Sequence, residues 1–486
     1  MVSVKVKWGK ELYDVDLEQS EDPLTFKAQL FALTGVEPDR QKVLFKGKTL
    51  RDSWEAFPSI PNGATIMLMG SATALPQTPQ EKTRFVEDMS EQEIARTLDI
   101  PAGLKNLGNT CYLNATLQCL KTVPELRDAL KSFPGQVLNL TEGAEAVTAG
   151  IRDLFNQMER NKEATPLLLL QVVHMVFPMF AEKDEQGNLK QHDANEAWTQ
   201  LVRMLHQKLK IPASDASPVS TGGGRSVVDQ ILQGEYEVRL KCKEDEEEPE
   251  QVTQEDFLSL SCYLSQEVKY LQSGLLSGLT EEIDKRSEKL GRNAKYEKKT
   301  RISRLPGYLT IGINRFFFKE KDAINAKILK DVKFPMELDV TELCTPELQA
   351  KLLPMQDRFK ADSDEVAAGK KAEKEGKSVS EMEMESSDKE DAKKIVPWSF
   401  PDDPGSNNSG YYTLQAVLTH KGRSSNSGHY VGWIKRESGE WIMCDDDNVI
   451  AVREEDILKL SGGGDWHCAY ILLYGPRILR QAKTKN

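Results

Sequence analysis

The chain has 486 residues, of which 39% are hydrophobic and 29% are charged, so it can form one large buried core, or a large and a small one. Its net charge is −12 at pH 7, and it has neither the basic excess nor the basic stripe of a nucleic-acid binder. We therefore expect a soluble globular protein that does not bind nucleic acid. The acidic surplus suits a partner with a basic surface, although acidic residues also serve solubility.

The N-terminus alternates polar and apolar residues from Val2 to Trp8 and contains no apolar core of a signal peptide. The most apolar stretch, residues 167–180, is interrupted by Gln171, His174 and Pro178, which indicates a buried segment and no transmembrane segment. Seven cysteines, an odd count without a secretion signal, predict free thiols in a reducing compartment. This favours the cytoplasm, or the cytoplasm together with the nucleus.

Residues 1–72 have the pattern of a separate small domain. The expected elements are a strand, its hairpin partner, a helix, two short strands around a glycine turn and a closing strand, over 2–8, 12–17, 26–33, 42–50 and 66–69. Gly35 is expected to end the helix. This order, together with the wording of residues 41–50, resembles ubiquitin. Because the segment runs on without a terminal pair of glycines, the resemblance implies a fused ubiquitin-like docking domain. A β-grasp domain of unrelated role is the alternative.

A linker is expected over 73–94, where prolines and mixed charges are followed by a capping-box pattern at Ser90–Glu93 that predicts the start of a short helix. The large domain is expected over 95–477, with a tail over 478–486.

Three segments of the large domain have the composition of loops. Residues 212–226 are rich in Ser, Ala and Gly, and residues 243–250 are a run of charges that predicts a solvated loop. Residues 355–394 combine many charges with few large apolar side chains, which predicts a disordered insertion.

Cys111 stands at the predicted start of a helix. Gly108 permits a tight turn before it, and leucines recur after it at helical spacing. Unpaired N–H groups and the helix dipole favour a thiolate at such a position, and the same N–H groups can hold an oxyanion. Asn109 offers a side-chain amide donor near the same point. Free cysteines at helix starts are more often packing residues, and Cys119, two turns on, is expected to be one.

His429 is the favoured base among six histidines, because it opens a strand directly after the flexible Ser/Gly loop 422–428. The other candidates have apolar, surface or helical contexts, or lie at other strand ends and turns. They are His174, His192, His206, His420 and His467.

A hairpin is predicted after His429, with strands over 429–435 and 441–444. Such a hairpin folds the run Asp445–Asp447 back towards the imidazole, where a carboxylate can hold the ring in the required tautomer. Alternation places the first and third aspartates on one face and the second on the other. Residue pattern alone does not choose among them, and a solvated turn is the alternative for at least two.

The cysteines do not form a recognisable metal motif, because no two of them are separated by two residues. The Gly462–Gly464 run lacks a following Lys-Ser/Thr pair, so it is no phosphate loop. We expect no metal site and no cofactor.

The stretches 103–112 and 410–431 are similar to the cysteine and histidine boxes of the ubiquitin-specific proteases. Further motifs of that family match in the same order: Gln191–Glu196, Leu305–Leu309, Asn314–Phe316, Leu329–Pro335 and Ala469–Tyr474. The resemblance covers residues 100–476, and on it the chain is identified as a member of this family.

The resemblance implies an α+β fold in which a papain-like catalytic domain with thumb, palm and fingers follows the ubiquitin-like β-grasp domain. It implies Cys111 as the nucleophile, His429 as the base and Asp445 as the carboxylate that orients the base. Asn109 would complete the oxyanion hole.

The resemblance also implies residues that contact the C-terminal tail of ubiquitin. Asp193 matches such a position, Gln191 stands in the same motif, and Phe316 and Tyr430 would line the tail channel.

Many family members bind zinc in the fingers through two Cys-x-x-Cys pairs. Cys242 and Cys262 stand there singly, so that site is expected to be lost. Cys444 stands where the family often has an aromatic residue.

The implied function is that of a thiol protease that hydrolyses bonds at the C-terminal glycine of ubiquitin. With its ubiquitin-like domain, the chain is similar to proteasome-associated members, which implies ubiquitin, ubiquitinated proteins and the 26S proteasome regulatory particle as partners. The alternative is a largely non-catalytic ubiquitin reader that regulates the proteasome by occupancy. We also hypothesise that loops 318–328 and 422–428 obstruct the tail channel until the proteasome moves them.

Overall fold

The computed structural model of this chain describes the following residues: 2–51, 53–55, 57, 59–71, 101–139, 141–211, 225–319, 324–374, 393–424, 427–464 and 466–482. The chain divides into two compact units, Met1–Ser90 and Glu91–Asn486. The predicted linker over 73–94 and nearly all of the predicted loop over 212–226 fall outside the described residues. Helices and sheets occur together in the described part, so the predicted α+β class is confirmed.

The first unit is a five-stranded sheet with one helix, and its strand order is β2-β1-β5-β3-β4. Its elements are β1 (Val2–Trp8), β2 (Glu11–Leu17), α1 (Pro23–Thr34), β3 (Lys42–Phe45), β4 (Lys48–Thr49) and β5 (Thr65–Met69). These are the elements predicted from the sequence, in the predicted order. Alternate strand residues point inwards, and the core includes Val4, Val6, Leu30 and Ile66, each at most 1% exposed. Gly35 ends α1 in the left-handed conformation, with φ 68°.

The second unit begins with a group of helices and has further short helices among its strands. The helices are α2 (Cys111–Leu120), α3 (Pro124–Lys131), α4 (Gly143–Arg160), α5 (Leu167–Val176), α6 (Ala194–Lys208), α7 (Val227–Ile231), α8 (Leu271–Ser277), α9 (Pro346–Lys374) and α10 (Glu454–Leu458). The α2 helix is buried along its whole length. It shares one apolar core with α4, α5 and α6, and these four helices are here called the thumb. None of the described helices is long and apolar enough to cross a membrane.

The strands of the second unit form a large sheet, here called the palm, and a four-stranded sheet, here called the fingers. The strands are β6 (Gly103–Leu104), β7 (Glu163–Ala164), β8 (Gly234–Cys242), β9 (Gln251–Phe257), β10 (Leu260–Tyr263), β11 (Thr280–Arg286), β12 (Asn293–Arg304), β13 (Leu309–Asn314), β14 (Phe316–Lys319), β15 (Ile324–Lys327), β16 (Glu337–Asp339), β17 (Lys393–Ile395), β18 (Tyr411–Ser424), β19 (Ser427–Lys435), β20 (Trp441–Asp445), β21 (Asn448–Val452), β22 (Cys468–Pro476) and β23 (Arg480–Ala482). The palm order is β10-β13-β22-β18-β19-β20-β21, and the fingers order is β11-β12-β8-β9. The α2 helix packs on the palm at Gly432, where a Cβ would lie 3.3 Å from the carbonyl oxygen of Ala115.

The charge run over 243–250 is a largely exposed loop between β8 and β9, as its composition predicts, but it is also tied to a neighbouring hairpin. Its carboxylates bind side chains of the facing β11–β12 connection: Asp245 pairs with Lys289 at 2.9 Å and Glu244 with Arg292 at 2.6 Å. Glu248 accepts a hydrogen bond from the Tyr296 hydroxyl at 2.7 Å. The charges therefore fasten two hairpins together at the tip of the fingers, which a count of charges along the chain cannot reveal.

The predicted disordered insertion over 355–394 is wrong for its first half, because α9 runs from 346 to 374. Met355 and Phe359, one helical turn apart, are buried in a small cluster with Leu479. Sparse apolar residues at helical spacing thus suffice for packing here. Residues 375–392 lie outside the described part.

The predicted tail over 478–486 is part of the fold up to residue 482. Leu479 is 2% exposed, and β23 pairs antiparallel with β17. Both contacts are with the segment predicted to be disordered. The two predictions differ from the structure for the same reason, because each segment is ordered by packing against the other.

Candidate active site

Cys111 is the first residue of α2 and is 2% exposed, which confirms the predicted position at a helix start. The turn before it needs left-handed backbone, with φ 102° at Gly108 and 53° at Asn109. Thr110 precedes the helix, and its carbonyl oxygen accepts the N–H of Leu113 at 3.0 Å. The N–H groups of Cys111 and Tyr112 precede this first hydrogen bond of the helix, so they lack an intrahelical acceptor and can donate to an oxyanion.

The predicted hairpin brings His429 and Asp445 together. Gly432 pairs with Cys444, and Lys435 pairs with Trp441, so the strand ends lie side by side. His429 Nε2 lies 2.5 Å from Asp445 Oδ1. Because Nε2 is engaged by the carboxylate, Nδ1 is the ring nitrogen left to exchange a proton with Cys111.

The electrostatics of His429 come from its two neighbours. The pKa of His429 is raised to about 10, chiefly by its hydrogen bond with Asp445 and secondly by its hydrogen bond with Cys111. Burial has a smaller, opposing effect. The pKa of Asp445 is lowered, chiefly by its hydrogen bond with His429. Both side chains are 35% exposed. The three groups can therefore hold a charged imidazole between a carboxylate and a thiol.

Gly428 lies directly before His429, at a position where the backbone leaves no room for a side chain. Its φ is 128°, and a Cβ there would collide with the carbonyl oxygen of Lys421 and with His420 Nε2. Only glycine accepts this conformation without strain, so position 428 in the predicted flexible loop requires a glycine.

Asp446 ties the aspartate run to the cysteine turn, a role that residue pattern did not reveal. Its Oδ1 accepts from Asn114 Nδ2 at 2.9 Å and its Oδ2 from Asn106 Nδ2 at 2.8 Å. Its carbonyl oxygen accepts the N–H of Leu104 at 2.8 Å. Asn106 Oδ1 in turn accepts the N–H of Gly108 at 2.9 Å.

The two halves of the site are thus joined by two amides, the buried Asn114 and the exposed Asn106, as well as by the reacting groups. Asn114 could have indicated this link, because it is a polar residue within the predicted helix that follows Cys111. In the structure it is buried, and a buried amide needs hydrogen-bond partners.

Asn109 lies beside Cys111 as predicted, but its amide is partly engaged. Its Nδ2 donates to the carbonyl oxygen of Leu189 at 2.8 Å. An amide nitrogen carries two hydrogens, so one N–H of Asn109 remains for an oxyanion.

Phe316 and Tyr430 lie in one aromatic cluster with His420 and Tyr470. The Phe316 ring centroid is 5.4 Å from His420 and 5.3 Å from Tyr470, both edge to face. Tyr430 lies 4.6 Å from His420 and 6.2 Å from Tyr470. Burial lowers the pKa of His420 to about 3, so this cluster is uncharged. His420 and Tyr470 were not among the predicted site residues.

Asp193 begins α6 as its N-cap, with Oδ1 accepting the N–H of Asn195 at 2.6 Å. Its other oxygen accepts the hydroxyl of Tyr470 at 2.7 Å, which connects it to the aromatic cluster. Gln191, two residues earlier, has a buried Nε2 without a hydrogen-bond partner in the described part of the chain. The structure thus joins Asp193 to Phe316 and Tyr430 through Tyr470, and leaves Gln191 outside that set.

The two segments expected to cover the channel are paired strands where they are described. The β14 and β15 strands form a hairpin, and Ala326 pairs with Ser424 at the end of β18. Residues 320–323 and 425–426 fall outside the described part of the chain.

The group His429, Asp445 and Asp446 is the one set of potential metal ligands found within the described residues, with atoms within 4.8 Å of one another. Its acceptors are already used by the imidazole and the two asparagine amides, an arrangement suited to proton transfer. Cys242 packs against Ala294 and Tyr296 in the fingers, and Cys262 belongs to the palm core.

Comparison with known proteins gives consistent matches along the chain. The profile of the family described as "Ubiquitin carboxyl-terminal hydrolase" matches residues 102–474, and that of the "Ubiquitin family" matches residues 2–73. Ubiquitin carboxyl-terminal hydrolase 14 of Caenorhabditis elegans is 40% identical over 499 residues, which cover 99% of this chain and 94% of the relative.

Two further relatives match over nearly their whole length. Ubiquitin carboxyl-terminal hydrolase 7 of Arabidopsis thaliana is 38% identical over 99% of this chain and 100% of its own. Ubiquitin carboxyl-terminal hydrolase 6 of Schizosaccharomyces pombe is 38% identical over 98% of each.

Proposed function

This chain belongs to the ubiquitin carboxyl-terminal hydrolase family, and we propose that it acts on the proteasome, where it releases ubiquitin from bound conjugates. It is a cysteine deubiquitinase with an N-terminal ubiquitin-like domain. The proposal concerns where it acts, what it releases and which side chains perform the reaction.

The observation that supports the catalytic assignment best is the contact of His429 with both Asp445 and Cys111. In the proposed reaction His429 holds the proton of Cys111, and the thiolate attacks the carbonyl carbon of ubiquitin's terminal glycine. N–H groups of the first turn of α2 and the remaining N–H of Asn109 stabilise the oxyanion. His429 then protonates the leaving amine, and water, activated by His429, hydrolyses the thioester.

The arrangement argues against a purely non-catalytic reader. A reader needs a surface for ubiquitin but no shared proton between a thiol and an imidazole. Cys111→Ala separates the two roles, because it removes the nucleophile and keeps the binding surface. We expect it to bind ubiquitin like the wild type and to release none from a fluorogenic amide at ubiquitin's C-terminus. Turnover by Cys111→Ala at the wild-type rate would refute the assignment.

The ubiquitin-like unit has a face suited to docking. Leu12, Met67 and Met69 are 59%, 47% and 52% exposed on its sheet. Lys7 pairs with Leu12 and Met67 in strand register, and Lys42 pairs with Met69, so lysines border the apolar side chains. Such a face fits an apolar surface with an acidic border, and we assign it to the regulatory particle of the 26S proteasome.

Met67→Asp tests this docking face. We expect loss of cosedimentation with 26S proteasomes and unchanged hydrolysis of the fluorogenic amide by the free enzyme. Leu24→Asp is the control, because Leu24 is 59% exposed but lies on α1. Equal binding by wild type and Met67→Asp, or loss of binding by Leu24→Asp alone, would refute the assignment of this face.

We further propose that the two paired hairpins, β14–β15 and the β18–β19 end, cover the tail channel and move when the enzyme binds the proteasome. This proposal is supported by the pairing of Ala326 with Ser424, which lies beside Phe316 at the start of β14. The rate of amide hydrolysis should rise when proteasomes with inactivated resident proteases are added. An equal rate with and without proteasomes would contradict it.

A third proposal is the compartment. The free thiols of all seven cysteines fit the cytoplasm and nucleus, which fractionation of cells can test.

A further inference from the structure

The hydroxyl of Tyr470 forms a partly buried hydrogen bond to the side chain of Asp193. It donates to Asp193 Oδ2 at 2.7 Å, and Tyr470 is 8% exposed. Burial and the neighbouring carboxylate of Asp193 raise the pKa of Tyr470 far above its usual range, so the hydroxyl is a donor at every physiological pH. Hydrogen bonds to charged groups are stronger and more directional than neutral ones.

The carboxylate of Asp193 is oriented by two different parts of the fold. Its Oδ1 accepts the N–H groups of Asn195 at 2.6 Å and Glu196 at 3.3 Å, as an N-cap does. That contact holds one oxygen at the start of the helix. The hydroxyl of Tyr470, on a palm strand, fixes the second oxygen.

Tyr470 also touches the aromatic side chains expected to line the channel. Its ring centroid lies 5.3 Å from Phe316, edge to face, and 6.2 Å from Tyr430. One side chain therefore connects the carboxylate at the start of α6 with the apolar walls on β14 and β19. No hydrogen bond or ring contact joins it to Cys111, His429 or Asp445 in the described part of the chain.

We propose that Tyr470 is a positioning residue for substrate binding: through its hydroxyl it holds Asp193 in the orientation that receives the C-terminal tail of ubiquitin. The inference rests on the proposed role of Asp193 in tail binding. A carboxylate with both oxygens held presents its remaining lone pairs in one direction, which suits a cationic side chain or a backbone N–H of an extended tail.

The reaction kinetics should show this role as an effect on binding. In Tyr470→Phe the ring contacts remain, and Asp193 loses the donor to Oδ2. We expect KM for ubiquitin carrying a C-terminal fluorogenic amide to rise roughly tenfold, with kcat within about twofold of the wild type. A general loss of folded enzyme would instead lower the apparent kcat and leave KM unchanged.

Tyr474→Phe is the matched control on the same strand. Its hydroxyl donates to the carbonyl oxygen of Pro335 at 2.7 Å, and Tyr474 is also a buried residue, but it does not reach Asp193. Removing it should cost similar stability and leave both kcat and KM within about twofold of the wild type. Thermal unfolding of both variants verifies the match.

A double-mutant cycle tests whether Tyr470 acts through Asp193. In an Asp193→Asn background, Tyr470→Phe should change KM by no more than about twofold, because the carboxylate that the hydroxyl orients is gone. A full tenfold effect in that background would overturn the inference, as would a Tyr470→Phe enzyme with the KM of Tyr474→Phe. Failure of the wild type to hydrolyse the amide at all would instead overturn the proposed function.

Discussion

Polar interactions join separate segments in two regions of the catalytic unit, the tip of the fingers and the catalytic edge of the palm, but their settings differ. At the fingers the lysines of these pairs are largely solvated: Lys289 is 46% exposed beside Asp245, and Lys295 is 61% exposed beside Glu282. At the palm edge His429 makes hydrogen bonds with groups on both sides, Asp445 and Cys111, and is only 35% exposed.

This difference separates two roles of charged groups: at the palm edge they alter the chemistry of the site, and in the fingers they only link chain segments. Solvent and salt screen exposed pairs, so that each contributes little. Around His429 two partners converge on one ring in a partly dry site, and they raise its pKa to about 10. Removing single groups should therefore have large effects at the palm edge and small effects in the fingers.

The largest effect is expected from Asp445→Asn. The amide cannot stabilise a charged imidazole, and it favours the wrong tautomer, so kcat should fall by roughly a thousandfold or more. Hydrolysis of a fluorogenic ubiquitin amide measures it, while ubiquitin binding should stay unchanged. Asp447→Asn is the control, because Asp447 is exposed in the same turn. Equal losses for both variants would assign the effect to the turn and not to the carboxylate.

A smaller loss is expected when the tie between the two halves of the site is cut. Asn114→Ala removes the donor to Asp446 Oδ1, so Cys111 and His429 lose part of their alignment. We expect kcat to fall roughly ten- to a hundredfold. Gln118→Leu is the control: Gln118 is a buried amide of the same helix that donates to the Ala102 carbonyl at 2.7 Å. If Gln118→Leu lowers kcat as far, general loosening of α2 explains both.

The paired His429 and Asp445 should also make stability depend on pH. A raised histidine pKa stabilises the fold fully below the unfolded value of about 6.5, and this contribution is lost as pH rises towards about 10. The lowered pKa of Asp445 stabilises the fold above the unfolded value of about 3.9, and that contribution is lost as pH falls.

The difference in unfolding free energy between wild type and Asp445→Asn should therefore be widest from about pH 4 to 6.5 and shrink on either side. Denaturant titrations across this range measure it. A difference that grows between pH 7 and 10 would contradict the assigned ion pair.

The smallest effect is expected in the fingers. Lys289→Ala removes the partner of Asp245 and Glu247, but Lys289 is 46% exposed and Glu247 is 89% exposed. We expect a slight fall in Tm that disappears at high salt, and kcat within about twofold of the wild type. A loss of kcat comparable to that of Asn114→Ala would break the comparison between the two regions.

The sequence allows some of these features to be predicted and hides others for physical reasons. The helix start at Cys111 and the hairpin that returns Asp445 to His429 follow from periodicity and turn position, which are local properties. The amides that hold Asp446 and the hydroxyl that holds Asp193 come from residues more than 250 positions away. Such contacts exist only once the sheet and the helices have packed.

Local composition also does not reveal contacts between distant segments. The run over 243–250 is charged yet fastened by partners on the next hairpin. The segment from 355 is mostly polar yet helical, because two apolar side chains meet Leu479. In each case the deciding partner lies in another part of the chain.

The central claim is that Cys111 is the nucleophile, and labelling with ubiquitin that carries a C-terminal electrophile tests it most directly. The full chain is incubated with this probe, with and without proteasomes, and the modified residue is mapped by mass spectrometry. We predict a single adduct on Cys111 that is lost in Cys111→Ala and forms faster with proteasomes present. An adduct on another of the seven cysteines, or undiminished labelling of Cys111→Ala, would contradict the claim.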